Sequence, residues 1–466
     1  MDFRDSTNTT QSNTQDFGSQ DFSSQDLHKQ DSSKNSRLKV YFKTFGCRTN
    51  LYDTQVMRQN LHDFEATLEE SEASIVVVNS CTVTNGADSG VRSYVRKIQS
   101  QGKKILFAGC GVGTQGKALF RQNLVSGILG HSYKEHINTA LKQLSHSKKV
   151  FYADELDKKH LDSTMIAEFV GKSRAFIKIQ EGCDFACSYC VIPLVRGAAR
   201  SYEIDSVRSQ VQSLIDSGIS EVVLTGTNVG SYGKDKGTNI STLLKELFKL
   251  DGLKRVRIGS LEPSQIDDEF LELLGEEKFC RHLHIALQHT HDEMLSIMNR
   301  VNRFDTDARL LEKIASLGYA IGTDFIVAHP GESEAIWQEA LANAKSLPLT
   351  HIHPFIYSLR DGTKSANLIK QYPLIRGDVA KSRLHELQSA IKAKNRAFRE
   401  SKKAKNTSLK ILIEKQLGGH YYGLDEFFNK IIIQSMHDTQ APLQKSSQWL
   451  AISDYEIKEE HNYAII

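Results

Sequence analysis

Cys183-Asp184-Phe185-Ala186-Cys187-Ser188-Tyr189-Cys190 brings three thiols together in a Cys-x3-Cys-x2-Cys spacing. Thiolates are the usual ligands of iron–sulfur clusters, and a four-iron cubane takes four of them when saturated. Three thiols leave one iron open to a small molecule. A zinc site would need a fourth ligand, and the nearest histidine in sequence is His160. Structural thiols are the third reading. The spacing fits a cluster best and leaves the other two open.

The surroundings of this run decide the architecture. It follows an apolar strand expected at 175–179, the first of a series at 175–179, 221–225, 255–259, 282–287, 320–327 and 351–357. Helical stripes such as Val207/Val211/Leu214/Ile215 and Leu243/Leu244/Leu247 fill the gaps. Six β/α units predict a partial (β/α) barrel, whose chemistry sits in the loops after its strands. That is where the cysteine run falls. A doubly wound open sheet has the same periodicity and is the competing topology.

Upstream, residues 37–150 predict a small parallel α/β domain, with strands at 40–45, 75–79, 105–108 and 126–129. Val91, Tyr94, Val95 and Ile98 form an amphipathic helical stripe, with Arg92, Arg96 and Lys97 off it. Cys47, Cys81 and Cys110 each follow one of the first three strands, beside Gly46, Ser80 and Gly109. The carboxyl ends of parallel strands share one edge, where ligands bind, so these thiols converge on a second three-cysteine site. The bland alternative is three buried cysteines that happen to follow strands. Cys280 is left over as a core or surface thiol.

Composition bounds the rest. The chain has 466 residues, 39% hydrophobic and 25% charged, with a net charge of +3, so any nucleic-acid site must come from a local patch. No apolar run reaches the roughly 18–20 residues that span a membrane, and the expected compartment is the cytoplasm. Residues 1–36 repeat Gln-Asp in a polar context and predict a disordered tail. Residues 151–172 predict a hydrophilic linker, 173–400 the barrel, and 401–466 a small β-barrel preceded by basic residues from Lys392 to Lys405. Lys402, Lys403, Lys405, Tyr421 and Tyr422 are the candidate RNA contacts, charge for backbone and rings for bases. A solvated helical face explains the charge run equally well.

These residues resemble a known family. The cysteine run with Tyr189, followed by Ile192-Pro193-x-x-Arg196-Gly197-x-x-x-Ser201, is similar to the radical S-adenosylmethionine methylthiotransferases. So are Gly46-Cys47-x-x-Asn50, Asn79-Ser80-Cys81-Thr82-Val83-Thr84 and Ala108-Gly109-Cys110. The resemblance spans about 38–466, and its C-terminal part looks like a TRAM domain. Of three branches, two modify adenosines in tRNA and one an aspartate of a ribosomal protein. Residues 81–88 and 174–183 look most like the threonylcarbamoyladenosine branch. The chain departs from the family at 109–115, at Gln288-His289-Thr290, at His329-Pro330-Gly331-Glu332 and at Arg360-Asp361-Gly362-Thr363.

The resemblance implies two four-iron, four-sulfur clusters and S-adenosylmethionine. The cluster of Cys183, Cys187 and Cys190 would generate an adenosyl radical that takes hydrogen from C2 of the modified adenine. The cluster of Cys47, Cys81 and Cys110 would bring sulfur. It also implies tRNA as substrate and a flavodoxin- or ferredoxin-like electron donor. Gly226, Thr227 and Asn228 after the second barrel strand, Glu262 after the third, and Tyr189 are candidates for holding S-adenosylmethionine; ordinary βα turns and simple packing are the alternatives.

Overall fold

The computed structural model describes residues 37–153, 160–166, 173–434 and 448–466. Its N-terminal sheet contains β1 (Lys39–Thr44), β2 (Glu65–Thr67), β3 (Ile75–Ser80), β4 (Lys104–Gly109), β5 (Gly127–Leu129) and β6 (Val150–Tyr152). All neighbours are parallel, in the order β2-β1-β3-β4-β5-β6. Every residue of β3 is buried, because helices cover both faces of the sheet. Val40, Met57, Leu106, Ile137 and Leu141 pack on one side, and Val76, Val91, Val95, Ile98 and Phe107 on the other. The edge strands β2 and β6 were not expected from sequence; three residues each are too few to show a period.

The barrel wall begins with β7 (Ala175–Glu181), the short antiparallel β8 (Arg200–Ser201), β9 (Glu221–Gly226) and β10 (Arg255–Ile258), in the order β10-β9-β7-β8. β11 (His282–His284), β12 (Ala320–Val327) and β13 (His351–Ile356) continue it as a second parallel sheet. Parallel bridges Val256↔Phe279 and Leu261↔Ile285 join the two halves. The six parallel strands therefore run β7-β9-β10-β11-β12-β13, in chain order and without reversal. A doubly wound sheet reverses at its switch point, so this order settles for the partial barrel. One core joins the wall to its helices, with Val211, Leu224, Leu243, Leu283, Phe325 and Trp337 among its members.

A 28-residue helix, Gly377–Ala404, crosses the boundary expected at 400. It leads into β14 (Leu409–Leu417), β15 (His420–Leu424), β16 (Lys430–Gln434), β17 (Trp449–Ile452), β18 (Glu456–Ile457) and β19 (Asn462–Ile465). Their order, β17-β14-β15-β16-β19-β18, gives a curled sheet of TRAM-like half-barrel form. Arg255 donates to the Lys410 carbonyl at 2.6 Å and Arg257 to the Asp425 carbonyl at 2.7 Å, which seats this sheet on the barrel. The expected linker is partly built in: Asp162 and Ile166 are buried, and Gln210 makes two hydrogen bonds to the Ile166 backbone. The expected tail at 1–36, with 154–159 and 167–172, lies outside the described residues.

Candidate active site between two groups of three cysteines

The first group hangs from the end of β7. The chain turns at Gly182, whose φ is +78°; a Cβ there would lie 1.9 Å from the Ala198 carbonyl oxygen, so only glycine fits. Cys183 N–H donates to the Gly197 carbonyl at 3.1 Å, and Cys190 N–H to that of Cys187 at 3.1 Å. Ser188 anchors the middle of the loop through its N–H to the Met298 carbonyl at 2.8 Å and its carbonyl to Ser365 N–H at 2.7 Å. The Asn228 amide points at Cys183 Sγ (3.7 Å) and Arg300 Nη1 at Cys187 Sγ (3.7 Å). Glu262 holds Arg300 in place with a 2.6 Å contact. Burial, with Cys187 and Cys183 nearby, pushes the Cys190 thiol up to about 12. All three cysteines are free.

The second group sits at the carboxyl edge of the N-terminal sheet, as the strand ends predict. Cys81 directly follows β3, Cys110 directly follows β4, and Cys47 precedes the helix Arg48–Gln59. Close approach is built in: a Cβ on Gly46 would lie 2.4 Å from Cys81 Cβ, and one on Gly109 2.3 Å from Asn79 Oδ1. Cys47 is exposed, while Cys81 and Cys110 are buried. Burial, then Cys47 and Cys110 beside it, pushes Cys81 up to about 12.

The two groups share a wall. Val191, Ile192 and Val195, just past Cys190, pack against Cys110. Arg196 is buried beside Cys110. Its Nε donates to Cys110 Sγ at 3.1 Å, Nη1 to Glu181 at 2.5 Å, and Nη2 to Asn50 Oδ1 and Asp53 Oδ2, both at 2.9 Å. Around it, Lys134, Lys178 and Arg196 face Asp53, Asp162 and Glu181, three charges of each sign. Burial alone would raise Asp53, but Lys134, Lys178 and Arg196 hold it below the carboxylate range. The network draws on the N-terminal domain, the 160–166 segment and the barrel. Sequence reading quoted Arg196 within a motif but assigned it no part, because its partners lie far away in sequence.

The other candidates fall into place unevenly. Gly226 packs against Gln180, where a Cβ would come 2.9 Å from the backbone oxygen. Thr227 Oγ1 accepts from Gly182 N–H at 3.2 Å, and Asn228 N–H donates to Gln180 Oε1 at 2.9 Å. Asn228 Oδ1 is buried and unpaired. Tyr189 packs against Met294, Met298, Ile326 and Ile336. Lys402 is turned inward: its ammonium donates to the Gly318 carbonyl at 3.0 Å and lies 4.3 Å from the Phe427 ring centre. Lys403 and Lys405 are exposed. Tyr421 packs on the C-terminal core, and Lys415 lies over the ring of Tyr422 at 4.8 Å.

A partial parallel barrel with a three-cysteine loop after its first strand defines a radical S-adenosylmethionine enzyme, and residues 177–344 match the Radical SAM superfamily. Residues 39–130 match the uncharacterized protein family UPF0004. A putative methylthiotransferase of Helicobacter pylori strain J99 is 58% identical over 92% of this chain and 99% of its own length. The threonylcarbamoyladenosine tRNA methylthiotransferase MtaB of Aquifex aeolicus is 32% identical over 82% of this chain and 94% of its own length. The chain belongs to the radical S-adenosylmethionine methylthiotransferase family. Among solved structures, the radical S-adenosylmethionine methyltransferase TsrM of Kitasatospora setae shares the fold, with a TM-score of 0.55 at 18% identity over 68% of this chain and 73% of its own.

Proposed function

We propose that this enzyme methylthiolates C2 of N6-threonylcarbamoyladenosine next to the anticodon of tRNA. The observation that carries the reading is the shared wall between two three-thiol groups, where the segment just past Cys190 packs on Cys110 and Arg196 donates to its sulfur. Cys183, Cys187 and Cys190 would hold one four-iron cluster, and Cys47, Cys81 and Cys110 a second. Each donor set is one ligand short, which suits clusters that bind S-adenosylmethionine and a sulfur species. When bound, these groups supply a hydrogen-abstracting adenosyl radical and the sulfur and methyl groups to be transferred.

The chain's own residues do the positioning. Gly182 and Ser188 fix the loop that presents the first thiols. Asn228 and Arg300 direct N–H groups at Cys183 and Cys187, and the unpaired Asn228 Oδ1 is an acceptor for an amine or hydroxyl of S-adenosylmethionine. Exposed Lys403 and Lys405 offer phosphate contacts. The threonylcarbamoyl substrate is favoured by the likeness to the Aquifex aeolicus protein.

Nucleoside mass spectrometry of tRNA from a strain lacking the gene tests the reading. Loss of the 2-methylthio form, with threonylcarbamoyladenosine accumulating, is the expected result. Unchanged threonylcarbamoyladenosine species with loss of another methylthio-nucleoside would reassign the substrate.

A further inference from the structure

A cluster of metal-ligating side chains that includes no residue of either cysteine group lies on the barrel face turned away from the helices. Ile321, Phe325 and Val327 of β12 point into the helix-covered core. The alternate face of the same sheet carries His282, His284, Asp324, His351 and His353. Register sets Asp324 of β12 directly opposite His353 of β13, and His284 of β11 opposite Gly322. Gly322 makes the room: a Cβ there would lie 2.9 Å from His284 Nδ1 and 3.1 Å from His282 Nε2.

Two imidazole nitrogens converge on one carboxylate oxygen. His284 Nε2 is 3.1 Å from Asp324 Oδ1, and His353 Nδ1 is 3.6 Å from the same atom. All three ligand atoms lie within 4.8 Å of one another. Zinc held tetrahedrally at about 2.0–2.1 Å keeps its ligand atoms about 3.3 Å apart, which these two separations bracket. His284 Nε2 is buried and faces Asp324 Oδ1. The two rings lie side by side next to Asp324, stacked at 5.1 Å with planes 29° apart.

We propose that His284, Asp324 and His353 bind a divalent cation of the zinc class. Two imidazoles and one carboxylate are a ligand set for zinc and for divalent iron or nickel. Three protein ligands leave at least one coordination position to water. The site uses no cysteine, and Arg48, the neighbour of Cys47, lies within electrostatic reach of Asp324.

The test uses full-length protein with its clusters reconstituted, loaded with zinc and dialysed, beside an Asp324→Ala/His353→Ala double variant. Zinc and iron are measured separately on each. The wild type is expected to keep about one more zinc per chain than the variant at equal iron. X-ray absorption of that zinc is expected to show a nitrogen and oxygen shell at about 2.0–2.1 Å, with no sulfur near 2.3 Å. Equal zinc in both proteins overturns the site, as does a sulfur shell, which would place the metal on cluster cysteines. If the double variant loses iron, His353→Gln serves instead: His353 is exposed, and its loss is expected to weaken zinc retention at least tenfold with iron unchanged. Undiminished retention in that variant overturns the site equally.

Discussion

Arg196 Nε lies 3.1 Å from Cys110 Sγ, so a residue of the barrel's cysteine segment donates directly to a thiol of the N-terminal domain. The same guanidinium pairs with Asp53 and Glu181, which makes it both a partner of that thiol and a structural joint. Arg196→Met leaves two buried carboxylates short of a partner, and removing one member of such a buried pair costs about 3–5 kcal/mol. The urea midpoint of the protein should fall accordingly. Arg196→Lys keeps the charge but loses the fork, so it should recover part of that stability without restoring the contact to Cys110. A Met variant as stable as the wild type would show that the network does not join the domains.

The two cysteine groups should be separable by iron content. With both clusters in place the chain carries about eight irons, and replacing either trio with alanine should leave about four. Loss of Cys183, Cys187 and Cys190 should abolish cleavage of S-adenosylmethionine to 5′-deoxyadenosine. Loss of Cys47, Cys81 and Cys110 should spare that cleavage and abolish methylthio transfer. If the N-terminal trio variant still holds eight irons, that trio binds no cluster.

Gly182→Ala should disable the site without touching a ligand. The left-handed backbone at +78° disfavours a side chain by about 1–2 kcal/mol, and the clash with the Ala198 backbone adds to it. Relief requires the Cys183 loop to shift. Production of 5′-deoxyadenosine should drop at least tenfold, because small misplacements of reacting groups are costly. Gly237→Ala, at φ +69° with open space around its Cβ, is the control and should retain activity.

The cysteine groups were legible because each obeys a local rule. One is a short spacing, and the other a repeated position after apolar strands. The barrel was legible as a count of β/α units, which pointed to a partial barrel and left the open sheet as its competitor, since strand order is a three-dimensional property. Arg196, Lys178 and Asp162 were illegible for a similar reason: buried charges look like surface charges until their partners are known. Lys402 shows the converse, a residue in a basic run whose ammonium is spent on Gly318 and two rings.

His329, just past the end of β12, should give the protein acid sensitivity. It is buried, and its Nε2 meets Ser365 Oγ at 2.9 Å, the hydroxyl that also donates to Ser188 in the cysteine loop. Burial lowers its pKa to about 4. The unfolded chain therefore takes up this proton first, near pH 6.5. The stabilisation is complete above that value and is lost as pH falls toward 4, by about 3 kcal/mol in all. His329→Phe should flatten this part of the profile when melting temperatures are compared between pH 7 and 4.5. An unchanged slope would mean that His329 is already charged in the fold.

The basic stretch should divide into residues that bind RNA and residues that hold the fold. Lys403 and Lys405 are exposed at the end of the long helix, beside the C-terminal sheet, whereas Lys402 is half-buried. Phosphate contacts release counterions, so each one contributes to the salt dependence of binding. Lys403→Glu/Lys405→Glu should weaken tRNA binding several-fold and flatten the plot of log affinity against log salt, with the melting temperature unchanged. Lys402→Ala should do the reverse, lowering the melting temperature through lost packing and leaving the salt slope alone. Fluorescence anisotropy with unmodified tRNA at several salt concentrations measures both. A salt slope equal to the wild type in the double variant would place the tRNA on another face.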